Sequence, residues 1–183
     1  IEDWLRLKSV DWEKPRSAPH PVLDIRDAED AARSVREDWG LGNDPIPQLA
    51  ELLEERGIKV LSLALENIDG LAAKVRRKDH MAARVVVVNG GAWAERKRFT
   101  LAHELGHMVI DPAPGMSDED IEKAAHRFAG AFLMPADTLR AEMGSNRSSV
   151  SLGELVALQE RFGVSIQAIA YRFTELGTLK QSA

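Results

Sequence analysis

Phe99-Thr100-Leu101-Ala102-His103-Glu104-Leu105-Gly106-His107 places a His-Glu-x-x-His pattern inside an apolar helical run. An α-helix turns once per 3.6 residues, so His103 and His107 stand on one face, roughly 5–6 Å apart at Cβ. Two imidazoles so placed can reach one ion at the usual Zn–N distance of about 2.0–2.1 Å. Glu104 is rotated about 100° from His103. There it can flank an open coordination position and take a proton from an activated water. Phe99, Leu101, Ala102, Leu105, Met108, Val109 and Ile110 surround the motif, so the helix is apolar nearly all round and is expected to be buried. Polar groups buried there need partners, because leaving one unpaired costs roughly 2–7 kcal/mol. Main-chain carbonyls are one answer for the two histidines; a metal is the answer preferred here.

A hydrolytic zinc needs three protein ligands and one open site. The metzincin continuation requires a third His six residues past His107, but that position is Ala113. The alternative takes a carboxylate from a later helix. Pro112-Ala113-Pro114-Gly115 must stop the first helix. Ser117 with Asp120 resembles a capping box, and the next helix carries Ile121, Ala125, Phe128 and Phe132 on its buried stripe. Returning antiparallel, it brings Glu122 opposite the histidines. His126, one turn further on, is the rival: a ligand, a support for Glu122, or a group that steadies an oxyanion.

Upstream, Asp27 starts a helix with Ala28, Ala31, Ala32, Val35 and Trp39 on one stripe, ended by Gly40. A second helix with Leu49, Leu52 and Leu53 inward stops at Gly57. Ile58–Leu63, Leu71–Arg77 and Arg84–Val88 read as strands, the last valine-rich and central. Lys78-Asp79-His80 reads as a turn. Lys74, Arg76, Arg77 and Lys78 give one strand a basic end, which either blunts a sheet edge or receives an acidic substrate strand. Arg96-Lys97-Arg98 is expected to be a solvated face or a salt-bridge donor. Before Asp27, Pro15, Pro19 and Pro21 suggest a stiff connector, with Trp4 and Trp12 on a loosely docked tail.

Downstream, Ser148 to Ser151 are candidate caps for a helix with Leu152, Leu155, Val156, Leu158 and Phe162 on its apolar face. Gly163-Val164-Ser165 turns into Ile166, Ile169, Ala170, Phe173 and Leu176. Helix, glycine turn, helix has the outline of a DNA-binding unit. Charge argues against it: residues 145–183 carry Arg147, Arg161, Arg172 and Lys180 against Glu154, Glu160 and Glu175. Arg172 is the only cation on the second helix, and phosphate binding needs several. The preferred reading is an accessory pair beside the cleft that recognises a protein substrate. Tyr171 or Arg172 could then reach the site and steady an oxyanion, with core packing as the alternative for Tyr171.

With 183 residues, one domain with a full core is the default. A net charge of −5 gives no general attraction to nucleic acid or anionic membrane. The absence of cysteine excludes disulfides and thiolate-bound zinc, and fits a cytoplasmic location. No apolar run has the length of a membrane span and no signal segment is visible. The first residue is Ile1, so the chain reads as a piece with something upstream.

Arg98 to His107, then Glu122-x-x-Ala125-His126-x-Phe128-Ala129 running to Leu133-Met134-Pro135, resembles the ImmA/IrrE metallopeptidase family. The likeness extends to Trp39-Gly40-Leu41-Gly42, Pro45-Ile46-Pro47 and Phe162-Gly163-Val164-Ser165, and covers most of residues 25–178. It implies a small gluzincin-like zinc peptidase with His103, His107 and Glu122 as ligands and Glu104 as base. Its implied substrates are helix-turn-helix repressors or antitoxins of stress circuits, and its implied architecture often includes a preceding DNA-binding domain. At the position of His126 the family more often has Asn.

The expectation is an α+β fold: a small three-stranded sheet with helices, a His-Glu-x-x-His metallopeptidase core and a C-terminal helical pair. Its divisions are 1–24 as an N-terminal linker or extension, 25–143 as the zinc peptidase-like domain, and 144–183 as the accessory helical region. The expected function is zinc-dependent cleavage of a specific bacterial regulator. The alternative is a metal-binding regulator or toxin that acts by protein binding or ligand sensing, without cleavage.

Overall fold

Four consecutive valines, Val85 to Val88, can be buried on both sides of a strand, and the fold is laid down around them. The computed structural model of the protein describes residues 11–76, 82–144 and 149–178. Strand β4 (Ala82–Asn89) is the middle of a three-stranded sheet, with β2 (Ile58–Leu63) parallel on one side and β3 (Gly70–Arg76) antiparallel on the other. Val86 and Val88 are buried, as their central position requires. The inner face of the sheet covers a layer of helices.

That layer is built from α1 (Asp27–Asp38), α2 (Leu49–Glu55), α3 (Ala94–Val109) and α4 (Asp118–Leu133). Helix α3 contains the His-Glu-x-x-His motif. After it the chain forms a short strand β5 (Ile110–Pro112), turns at Pro114-Gly115, and returns as α4. Ser117 caps α4 by accepting from the Asp120 amide at 3.1 Å, as the sequence pattern suggests. Gly106 sets how closely α3 and α4 approach. A methyl group there would lie 3.1 Å from the Phe128 ring and 3.3 Å from the Ala125 carbonyl. Phe128 cannot give way easily, because it stacks on Phe132 at 5.6 Å, which meets Trp39 edge-on at 6.1 Å.

Three further helices follow: α5 (Ala136–Met143), α6 (Leu152–Phe162) and α7 (Ile166–Glu175). Helix α5 is not among the helices expected from the sequence; Pro135, which ends the preceding apolar run, occupies its N-cap position. Ser151 and Glu154 form a complete capping box on α6. Leu158, Phe162, Ile169 and Phe173 are buried in the common core, so the helical pair is part of its wall.

Two expectations about charge need correction. Arg172 does not reach a cleft or a nucleic acid. It is 1% exposed, donates to the Met134 carbonyl at 3.1 Å, and pairs with Glu29 and Glu175. A guanidinium has five donors, and burial is tolerated only where they are spent on carboxylates and carbonyls. Arg98 is not a solvated cation either: it reaches the Ile46 and Pro47 carbonyls, while Arg96 makes the expected ion pair, with Asp69 at 2.7 Å.

The segment before α1 is also seated more firmly than its prolines suggested. The Glu13 amide donates to the Arg56 carbonyl at 2.8 Å, and their side chains pair at 2.8 Å. Asp11 crosses Gly57 so closely that a Cβ would stand 2.3 Å from its carbonyl oxygen, and Gly57 has φ of 79°. Trp12 takes the Arg84 guanidinium over its ring at 4.5 Å. Strand β1 (His20–Val22) pairs in parallel with β5, just past the motif. Proline removes a donor but leaves a carbonyl, so an edge strand tolerates it. Trp4, the Lys78–His80 turn and Ser148 lie outside the described residues.

Burial alone would raise the Glu29 carboxyl, but hydrogen bonding to Arg172 and the charges of Arg172, Arg127 and Arg140 outweigh it and hold it below the ordinary value. This stabilisation is full above about pH 4.5 and is lost as pH falls through the lowered folded value. Denaturant titrations between pH 5 and 3 should therefore show a steeper loss of stability for the wild type than for Glu29→Gln. Arg172→Met should cost about 3 kcal/mol at neutral pH, because it removes the hydrogen-bonded cation from Glu29 and Glu175 and leaves them the more distant Arg127 alone. Gly106→Ala should cost about 1–3 kcal/mol by the same measurement, because it overpacks the α3–α4 contact.

Candidate metal centre

The α3–α4 hairpin brings three donor atoms together. His103 Nε2 and His107 Nε2 are 3.0 Å apart. Glu122 Oε2 lies 3.2 Å from His103 Nε2, and its Oε1 lies 3.3 Å from His107 Nε2. Among the described residues this is the one group of three that could hold a metal. Donors at about 2.0–2.1 Å from a common tetrahedral centre stand about 3.3 Å from one another. The observed spacing fits that edge, and the donor set of two imidazoles and a carboxylate suits zinc. The histidines are turned toward Glu122, and His126 is outside the group.

The protonation states agree with this use. Burial, then the neighbouring His107, pushes His103 below the ordinary imidazole value, so its nitrogen lone pair is free at neutral pH. Burial pushes the Glu104 carboxyl up, against the pull of His107. The Ala72 main-chain amide on β3 also faces Glu104 and opposes the rise. Glu104 is 8% exposed, so its carboxylate is desolvated yet oriented by β3 on one side and the histidines on the other. A carboxylate so held is suited to accept and return a proton.

The remaining wall comes from aromatic contacts. His126 packs on Phe99 with ring centroids at 4.7 Å and meets Tyr171 edge-on at 5.1 Å. Facing rows along the hairpin are thus Phe99 with His126, then His103 and His107 with Glu122. Burial lowers the His126 pKa. Tyr171 is 52% exposed, so it does not fill the core; it stands at the cleft rim through His126. Of the three candidate supporting groups, His126 and Tyr171 are brought to the site and Arg172 is not. The contribution of β3 was missed: it is made by a main-chain amide, for which a sequence carries no side-chain signal.

A cavity of about 580 Å³ lies elsewhere, between α1, α4 and α5, lined by Glu29, Arg33, Arg36, Arg127, Arg140 and Glu175 among others. Its charges are matched internally: Arg127 sits 3.5 Å from Glu29, and Arg36 donates to the Gly42, Asp44 and Phe132 carbonyls. Burial pushes Arg36 down to about 10, which leaves it charged at neutral pH. Among the described residues no group of three that could hold a metal lines this cavity, and the hairpin is the candidate chemical centre.

Comparison with known proteins bears on the same residues. Residues 53–174 match the family described as the IrrE N-terminal-like domain, a span that contains all of α3 and α4. The radiation response metalloprotease IrrE of Deinococcus radiodurans is 35% identical over an aligned stretch of 103 positions, and the match covers 50% of this chain and 31% of that protein. The chain therefore spans about a third of the curated relative it matches. A Mycobacterium tuberculosis transcriptional regulator has the same fold over 82% of this chain and 47% of its own, with a TM-score of 0.54 and 21% identity. The family match, carried across both arms of the hairpin, shows that this chain belongs to the ImmA/IrrE metallopeptidase family.

Proposed function

We propose that this chain is a zinc-dependent, gluzincin-like metalloendopeptidase that cuts one specific regulator, a DNA-binding repressor or antitoxin, in the cytoplasm. The observation that carries the reading is the convergence of His103, His107 and Glu122 within hydrogen-bond distance, with Glu104 buried beside them. His103, His107 and Glu122 are assigned as the ligands. Zinc supplies a Lewis acid that acidifies the attacking water and polarises the scissile carbonyl.

The chain's own groups do the rest. Glu104 accepts the proton of the attacking water and delivers it to the leaving amine. The Ala72 amide keeps that carboxylate aimed along the cleft. His126, backed by Phe99 and Tyr171, donates a hydrogen bond to the oxygen on which negative charge develops. The regulator substrate is supported by the family resemblance and by the stress role in the name of the Deinococcus relative. No described helix is long and apolar enough to cross a membrane.

Purified protein incubated with zinc and a regulator encoded beside it tests the reading by mass spectrometry of the products. The wild type should give one defined cut. Glu104→Gln should keep stoichiometric zinc and lose about a hundredfold or more in rate. Cleavage retained by Glu104→Gln would refute the mechanism, and inhibition of the regulator that is indifferent to this variant would mean binding without catalysis. His126→Ala should lower kcat while zinc affinity stays unchanged, which separates an oxyanion role from a ligand role.

A further inference from the structure

In the cavity between α1, α4 and α5 the charges match in number, but the hydrogen bonds do not. Glu29 spends both carboxylate oxygens on Arg172 from the core side, accepting from Nη1 at 2.7 Å and from Nη2. Glu175 also pairs with Arg172, at 3.3 Å. Arg127, on α4, is left with Glu29 at 3.5 Å, beyond the roughly 2.7–2.9 Å of a charge-assisted hydrogen bond. Its side chain is 16% exposed, and its Nε is buried with no acceptor among the described residues. A guanidinium offers five donors, and a buried donor left unmade costs the full desolvation of that group. The wall of an open volume of about 580 Å³ therefore holds a largely desolvated cation without a close partner.

Three further features of the wall favour an anion. Arg140, on α5, lies 3.5 Å from Asp137 in a half-exposed pair, which holds it loosely. Helix α5 has no side-chain cap: Pro135 is its N-cap residue, and Pro135, Ala136 and Asp137 all line the cavity. The first amides of a helix have no partner within it, and the positive end of its dipole lies there. Arg33 adds a third cation, in an exposed pair with Asp30. The carboxylates oppose an anion only weakly. Glu29 and Glu175 are held by Arg172, and Asp137 is 78% exposed, where water screens it. Glu37, on α1, is an exposed carboxylate, while Ala131, Pro135 and Leu176 supply apolar surface.

We infer that this cavity binds the phosphate monoester of a small sugar-like polyol, with Arg127 and Arg140 on the phosphate at the start of α5 and Glu37 on the hydroxyls. A guanidinium meets phosphate oxygens with two parallel N–H donors, and a helix N-terminus adds its amides. An ionised carboxylate only accepts, so hydroxyl donors complement Glu37 where a second anion does not. The volume is within the roughly 300–1,000 Å³ of small-molecule sites. This site stands apart from the peptidase reading. It shares α4 with the metal hairpin, but five residues turn the helix by about 140°, which carries Arg127 to a different face from Glu122.

Isothermal titration calorimetry and heteronuclear NMR of the zinc-loaded chain are the test, with inorganic phosphate, ribose, ribose 5-phosphate and AMP as probes. Ribose 5-phosphate should saturate one site and bind about tenfold more tightly than inorganic phosphate, and ribose alone should not bind. Tighter binding of AMP names a nucleotide as the ligand; equal or weaker binding names a sugar phosphate. The Arg127 Nε–H resonance and the amides of Ala136, Asp137 and Thr138 should shift, while the His103 and His107 rings stay in place. Arg140→Glu should weaken binding about tenfold or more with an unchanged melting temperature, and Arg127→Gln should weaken it further. The metal-free chain should bind the ester with the same affinity. No saturation by either ester, equal binding of ribose and ribose 5-phosphate, affinity untouched by Arg140→Glu, or shifts confined to His103 and His107 would overturn the inference.

Discussion

The close approach of α3 and α4 at Gly106 is the constraint on which the site depends. With a hydrogen in place of a side chain there, the Phe128 ring and the Ala125 carbonyl come to within ordinary contact of α3. That distance allows one carboxylate on α4 to reach two imidazoles on α3. The proline turn between the helices makes the second antiparallel to the first, and the apolar stripe of Ala125, Phe128 and Phe132 fixes its rotation. Each of these is a packing requirement, and the juxtaposition of donors follows from them.

The rest of the chain supports the hairpin from several directions. The sheet covers α3 and delivers the Ala72 amide to Glu104. The N-terminal segment locks the far end through β1, which pairs with β5 immediately after α3. The C-terminal helices supply Phe162, Ile169 and Phe173 to the core and Tyr171 to the cleft rim. Buried guanidiniums act as clasps: Arg36 ties α1 to the end of α4, and Arg172 ties α7 to α1 and α4. An arginine fits this use because its donors can be satisfied by carbonyls as well as by carboxylates.

Much of this was readable from the residues because strong periodic signals and strong chemistry coincided. The spacing of His103 and His107, the proline turn and the stripe on α4 together narrow the third donor to Glu122 or His126, and the valine run places the central strand. What escaped the sequence has a common cause. Arg172 and Arg98 look like surface cations because a charged residue shows nothing of its partners until distant elements meet it. Strand β1 is only three residues long and contains a proline, so no alternation is visible. Helix α5 follows a proline that reads equally well as a stop or a start. The choice between Glu122 and His126 needed the rotation of α4, which side-chain spacing alone leaves open by one turn.

X-ray absorption at the zinc edge of the loaded protein tests the central claim most directly, since it counts the atoms around the ion. The account predicts two imidazoles and a small number of oxygens, with an unchanged imidazole count in His126→Asn and a loss of zinc in Glu122→Ala. Three imidazoles in the wild type, falling to two in His126→Asn, would contradict it.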